Sequence, residues 1–273
     1  MYKIFMTVRN RLAVTTKCVT ALTRHSRLPF SLYIYDNLST TNVRERFVYY
    51  SMLHERGIVS QVTINTKDST YGAFSKAVAS NDFGLHHEMD PRKASYDFLV
   101  FLDNDIIVCP GWDEILKNAW EDIRKHGLIS TVKIVGQNPG GIKFKKEIPQ
   151  KIAGFRARLG KFGGSGLWCV QPNFFKDIGF LDMSKFLGIH KRHDQEYWHK
   201  LEKVCGGKEY ILGLDANIGI HTGKYAGSVC NVLSRTKDEK SIDFRAQEAE
   251  IDKLSFDEFY KKIITDKELV KDW

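Results

Sequence analysis

Phe98-Leu99-Val100-Phe101-Leu102-Asp103-Asn104-Asp105 is the stretch on which the fold turns. Its first five residues are an uninterrupted apolar run, the pattern of a strand covered on both faces in a parallel α/β sheet. Two carboxylates follow at the strand's carboxyl end, where ligands bind in open α/β sheets. Acids this close repel each other unless a cation joins them. Hard oxygen ligands select Mg2+ or Mn2+, which keep positions open for substrate phosphates. Asp103, Asn104 and Asp105 are therefore candidate phosphate and metal residues, with a solvated acidic turn as the alternative. An EF-hand loop is excluded, because Ile106, Ile107 and Val108 stand where glycine and oxygen ligands are required.

Outward from this stretch, strand-like and helix-like segments alternate, which predicts an α/β fold with a mostly parallel sheet. Lys3 to Val8, Leu32 to Tyr35 and Val59 to Ile64 read as strands. Arg11 to Thr23, Asn42 to Arg56 and Ala73 to about His87 read as helices, the second with Val43, Phe47 and Leu53 inward. After Pro110-Gly111, the spacing of Trp112, Ile115, Leu116, Ala119, Trp120 and Ile123 is helical throughout. Residues 136–166 are rich in glycine and base and read as a long loop. Tyr197 to Cys205 is an amphipathic helix stopped by Gly206-Gly207. Tyr210 to Leu214 and Asn217 to His221 read as short strands, and residues 240–273 as helical.

Several absences narrow the chemistry. The turn after the first strand, Thr7-Val8-Arg9-Asn10-Arg11, has no glycine, which excludes the dinucleotide fingerprint, and no P-loop occurs. A nucleotide at this sheet edge must therefore be managed by metal and basic side chains, and Arg9 and Arg11 offer cations near the crevice. Asp36 closes the second strand, where it is either an acceptor for a base N–H or the head of an Asx-turn. The five cysteines are an odd number with no C-x-x-C pair, which fits reduced thiols in a cytoplasm. No apolar run approaches the ~20 residues of a membrane span, so the chain is expected to be soluble or peripheral.

In this order the motifs resemble those of family-2-type glycosyltransferases with the GT-A fold. The resemblance runs through Ile4 to Arg11, Tyr35 to Thr40, Phe98 to Asp105, Gly163-Gly164-Ser165-Gly166-Leu167-Trp168 and the F-x-x-x-G-x-x-D of Phe175 to Asp182, covering about residues 3–223. It implies a Rossmann-like sheet flanked by helices and a metal-dependent transfer from a nucleotide-sugar donor, UDP-linked in most relatives, to an acceptor hydroxyl with inversion. Position by position, it implies that Thr7 and Arg9 line the nucleotide pocket, that Asp36 binds the base, and that Asp103 and Asn104 face the ribose and diphosphate. Asp105 would ligate Mn2+ or Mg2+, with Asp103 and His221 completing the metal site. Asp194, in His193-Asp194-Gln195-Glu196-Tyr197, matches the catalytic base. His193 replaces the first acid of the family's pair, which leaves Glu196 as the rival base. On this reading residues 1–135 form the donor-binding half, 136–235 the acceptor half and 236–273 a helical extension.

The net charge of +8 is not evenly spread. Lys143, Lys145, Lys146, Lys151, Arg156, Arg158 and Lys161 face the single acid Glu147, a local +6, with Phe144, Phe155 and Phe162 interleaved. Such a segment can track a phosphate backbone and stack on bases, dock on anionic headgroups, or be a solvated loop with no partner. The acceptors compatible with it are DNA carrying hydroxylated bases, as in bacteriophage DNA-glycosylating enzymes, or a saccharide or lipid-linked chain. Two other classes compete: a nucleotidyltransferase, which would carry a glycine- and lysine-rich first loop, and a non-catalytic nucleic-acid-binding protein. The latter leaves the acids at two strand ends unexplained.

Overall fold

The computed structural model describes residues 1–37, 39–65, 72–88, 96–126, 133–135, 144–160, 166–172, 174–182, 193–206, 211–222 and 244–266. Among these residues the centre is a nine-stranded sheet. Strands β1 (Tyr2–Val8), β2 (Phe30–Asn37), β3 (Val59–Asn65) and β4 (Leu99–Asp103) form a parallel half in the order β3-β2-β1-β4. Beyond β4 the sheet continues through β9 (Leu167–Val170), β6 (Lys133–Val135), β10 (Ile211–Leu214), β8 (Ala157–Gly160) and β7 (Phe144–Glu147). Here β9 runs antiparallel to β4, and β8 antiparallel to both β10 and β7. A separate two-stranded ribbon joins β5 (Ile106–Val108) to β11 (Gly219–His221).

The central strands serve two cores because side chains alternate across a strand. Ile4, Met6, Val8, Val100 and Leu102 join one core with residues of α1 (Leu12–His25), α2 (Val43–Glu55) and α4 (Trp112–Lys125). Phe5, Leu99 and Phe101 face the other, with α3 (Gly72–Phe83), α5 (Phe174–Ile178) and α6 (His193–Val204). Helix α4 has the face its periodicity predicts, with Trp112, Leu116, Ala119, Trp120 and Ile123 buried. Asp113 and Glu114 in its first turn and Arg124 and Lys125 in its last suit the helix dipole. The C-terminal helices α7 (Phe244–Lys253) and α8 (Phe256–Thr265) join the first core through Ile251, Phe256, Phe259 and Ile263. A capping box between Ser255 and Glu258 starts α8.

Two expectations are corrected. Residues 144–147 and 157–160, read as loop, form the β7–β8 hairpin, since Ile148, Ile152 and Ala157 are apolar anchors buried in the first core. Helix α2 follows its apolar spacing only in part: Leu53 faces inward as expected, but Val43 and Phe47 do not. Val43, Phe47 and Val48 are exposed, while Arg46, Tyr50 and Leu53 face inward. Arg46 is drawn in by the buried Asp36 carboxylate and two backbone carbonyls, which outweigh the exposure of Val43 and Phe47. No helix among the described residues is long and apolar enough to cross a membrane.

Candidate active site

The carboxyl ends of β1, β2 and β4 meet at one edge because the three strands are parallel and in register, with Thr7 paired to both Tyr35 and Asp103. Asn104 and Asp105 turn the chain from β4 into β5. Thr7 Oγ1 donates to Asp103 Oδ1 at 3.4 Å. The Asn104 amide donates to Thr15 Oγ1 at 2.9 Å, which ties the turn to α1. Arg9, half-buried, follows β1.

His221 reaches this edge from far along the chain. The β5–β11 ribbon pairs it with Ile106, and Thr222 binds the Asp105 carbonyl through both its N–H and its hydroxyl, each at 2.9 Å. Close packing of the ribbon requires Gly219, where a Cβ would stand 2.9 Å from Ile106 Cγ2. His221 Nε2 then stands 3.4 Å from Asp105 Oδ2. The Asp105 charge raises the His221 pKa against the opposing effect of burial, aided by the hydrogen bond to Asp105 and the charge of Asp103, with Arg11 pulling it down.

These residues fit a divalent ion. Mg2+ and comparable ions hold nitrogen and oxygen ligands at about 2.0–2.2 Å, so two donors on one ion stand roughly 3 Å apart. The His221–Asp105 separation is close to that, and imidazole with carboxylates is a donor set suited to Mn2+. Among the described residues no three His, Cys, Asp or Glu side chains converge into a ready-made cage.

Three residues not singled out from the sequence, Asn10, Arg46 and Glu248, organise the edge. Asn10 and Arg11 are both left-handed, with φ of 54° and 56°, and make the tight turn into α1. Asn10 Oδ1 accepts from Thr40 N at 2.8 Å and Thr41 N at 3.2 Å, which holds the loop after β2. Arg46 sends Nη1 to Asn10 O at 3.3 Å and Nη2 to Thr41 O at 3.0 Å, with Nε 3.5 Å from Asp36 Oδ2. From α7, Glu248 Oε1 accepts Ala13 N at 2.9 Å and so supplies the N-terminal cap that α1 lacks locally. Burial raises the Glu248 pKa, while the Ala13 N–H, Arg46 and Arg11 pull it down.

The remaining expected residues fall as follows. Asp36 is 2% exposed, and its oxygens accept from Ser39 N at 3.1 Å and the Tyr50 hydroxyl at 2.8 Å. The Asx-type turn and the strand-end position coexist, with the carboxylate directed inward. Glu196 is buried on α6. Asp194 is in the first turn of the same helix, and its side chain lies outside the described residues. Lys143 and Lys161 also lie outside them, as do the side chains of Lys145 and Lys146. Lys151 and Arg158 are exposed, and Arg156 pairs with Asp215 at 3.0 Å.

No protein-family model matches the chain, and no curated protein matches it in sequence. Solved structures do match in shape. GalNAc-T7 with UDP, GalNAc and Mn2+ superposes with a TM-score of 0.56 at 13% identity, over 78% of this chain and 41% of that one. TarS of S. aureus gives 0.53 at 15% identity, over 90% of this chain and 41% of that one. Residues 1–349 of TarS give 0.50 at 16% identity, over 98% of this chain and 73% of that one. The chain thus spans about two-fifths of the length of the first two proteins. With the parallel β3-β2-β1-β4 half and helices on both faces, these likenesses establish the fold as that of the GT-A glycosyltransferases.

Proposed function

We propose that the chain is a metal-dependent glycosyltransferase that moves a sugar from a nucleoside-diphosphate donor, UDP-linked on our reading, to an acceptor hydroxyl. The observation that carries this is the 3.4 Å approach of His221 Nε2 to Asp105 Oδ2 at the edge where three parallel strands end. A metal-ligating role explains why a separate ribbon delivers an imidazole to a buried acid. GalNAc-T7, of the same fold, was solved with UDP and Mn2+, which supports the donor class.

In this proposal Asp105 and His221 hold Mn2+ or Mg2+, and Thr7, Arg9, Asp103 and Asn104 line the donor, since Asp103 does not converge with that pair into a three-ligand cluster. A divalent ion there supplies positive charge to the departing nucleoside diphosphate. Asp194 takes the proton of the acceptor hydroxyl as the acceptor oxygen bonds to the anomeric carbon and the bond to the diphosphate oxygen breaks, with inversion; Glu196 is the alternative base. Asp36, with its oxygens engaged internally, acts on the base pocket by shaping the loop after β2. Calorimetry with UDP or GDP, with and without Mn2+, tests the proposal. Nucleotide binding is expected only with the metal. Its absence with both nucleotides would sink the reading and favour a nucleic-acid-binding protein without catalysis.

A second reading concerns the acceptor. Lys151 and Arg158 are exposed on the β7–β8 hairpin, on the half of the sheet away from the donor strands, which favours an anionic acceptor such as DNA with hydroxylated bases. On the anionic reading, transfer to hydroxymethylated DNA exceeds that to unmodified DNA and falls steeply between about 50 and 200 mM salt. Transfer confined to neutral saccharides, or insensitive to salt, rules it out.

A further inference from the structure

The acid assigned to the metal already has a cation beside it. Arg11 Nη1 donates to Asp105 Oδ2 at 3.2 Å, and Nη2 donates to Asn104 Oδ1 at 3.3 Å. The oxygen that receives Arg11 is the one that faces His221. The pair is little screened, with side-chain exposures of 14% for Arg11 and 5% for Asp105. The guanidinium is directed there by the backbone: two successive left-handed residues turn the chain at Asn10 and Arg11, and the Asn10 side chain anchors that turn to residues 40 and 41.

We propose that Arg11 is a built-in counter-cation of Asp105, which leaves that carboxylate when the divalent ion binds and turns to the donor's diphosphate, so that it couples metal binding to nucleotide binding. The proposal rests on the donor and metal reading above. A guanidinium keeps its charge at any working pH. It cannot share one carboxylate oxygen with a divalent ion without strong repulsion at this range. Without nucleotide, therefore, Arg11 opposes the metal. With nucleotide, a diphosphate offers the planar fork a two-pronged partner of greater charge, and the opposition becomes cooperation. Linkage makes the effect reciprocal: the nucleotide raises metal affinity by the same factor that the metal raises nucleotide affinity.

The test is Mn2+ binding by the full chain, followed by the electron paramagnetic resonance signal of the free ion, with and without UDP. Arg11→Gln is expected to bind Mn2+ about tenfold tighter than the native protein when no nucleotide is present. UDP is expected to raise Mn2+ affinity strongly in the native protein and at least fivefold less in the variant. Thermal melts report whether Arg11→Gln folds, and Arg11→Met, which keeps much of the stem, replaces it if not. Equal Mn2+ affinity of native and variant proteins without UDP, or an undiminished UDP effect in the variant, overturns the proposal. Asp105→Asn separates the two levels: if it binds Mn2+ as the native protein does, the metal reading itself fails, whatever Arg11 does.

Discussion

Asp105→Asn is expected to lose metal-dependent nucleotide binding and to lower kcat/KM about a thousandfold, while the protein still folds. The carboxylate is 5% exposed and stands between the Arg11 guanidinium and the His221 imidazole. Asparagine keeps its shape and one acceptor oxygen but removes the charge that a divalent ion needs. Electrostatic stabilisation of a leaving group is commonly worth about 3–4 kcal/mol at one position, or roughly a hundred- to a thousandfold in rate. The loss of a ligand, and with it the ion, belongs at the upper end. Folding survives at a cost of about 1–2 kcal/mol, because Arg11 keeps Asn104 as an acceptor and asparagine keeps an oxygen of its own in the same place. A measurement independent of activity checks the geometry. Asp105 is the largest cause of the raised His221 pKa, so the variant's imidazole should titrate at lower pH when followed by NMR without metal. A folded variant that still binds UDP in a metal-dependent way, with an unmoved His221 titration, contradicts the assignment.

That acid was legible in the sequence because of what precedes it. An apolar run without alternation means two covered faces, and the end of such a strand in an α/β sheet is a ligand position. Strands β1, β2 and β4 and helix α4 were readable for related reasons, each long enough for its period or its unbroken hydrophobicity to register. The basic composition around the β7–β8 hairpin concealed its three buried anchors. The α8 capping box is legible as Ser255-x-x-Glu258. At the candidate site, Thr7, Asp103, Asp105 and His221 were named from strand ends and motif order, and the fold brings them to one sheet edge. Arg11 was recognisable only as a cation near the crevice, since its partner lies more than ninety residues away and only the fold joins them. Arg46 was hidden more deeply, because an arginine on an amphipathic helix is ordinarily placed toward solvent.

Arg46 is for that reason the more demanding test of the structure. Arg46→Met is expected to cost about 3–5 kcal/mol of stability, since it removes one partner of a buried pair and leaves the other charged. Asp36 would retain Ser39 N and the Tyr50 hydroxyl but lose the guanidinium 3.5 Å away, while the carbonyls of Asn10 and Thr41 lose their donors. For a chain of this size the loss corresponds to a fall in Tm of roughly 10 °C. Unchanged melting would mean that Arg46 is exposed to solvent and that α2 keeps the face its apolar spacing implies. Donor affinity should also fall, by about tenfold, because Arg46 joins the Asn10–Arg11 turn to the loop after β2. The double variant Arg46→Met with Asp36→Asn then separates two roles for Asp36. Removing both charges together relieves the unpaired carboxylate and should recover at least half of the lost stability. If nucleotide affinity recovers with stability, Asp36 acts through the loop. If stability returns and affinity does not, and the single variant Asp36→Asn weakens nucleotide binding at nearly native stability, the carboxylate itself meets the base, and the inward placement of Asp36 gives way when the donor binds.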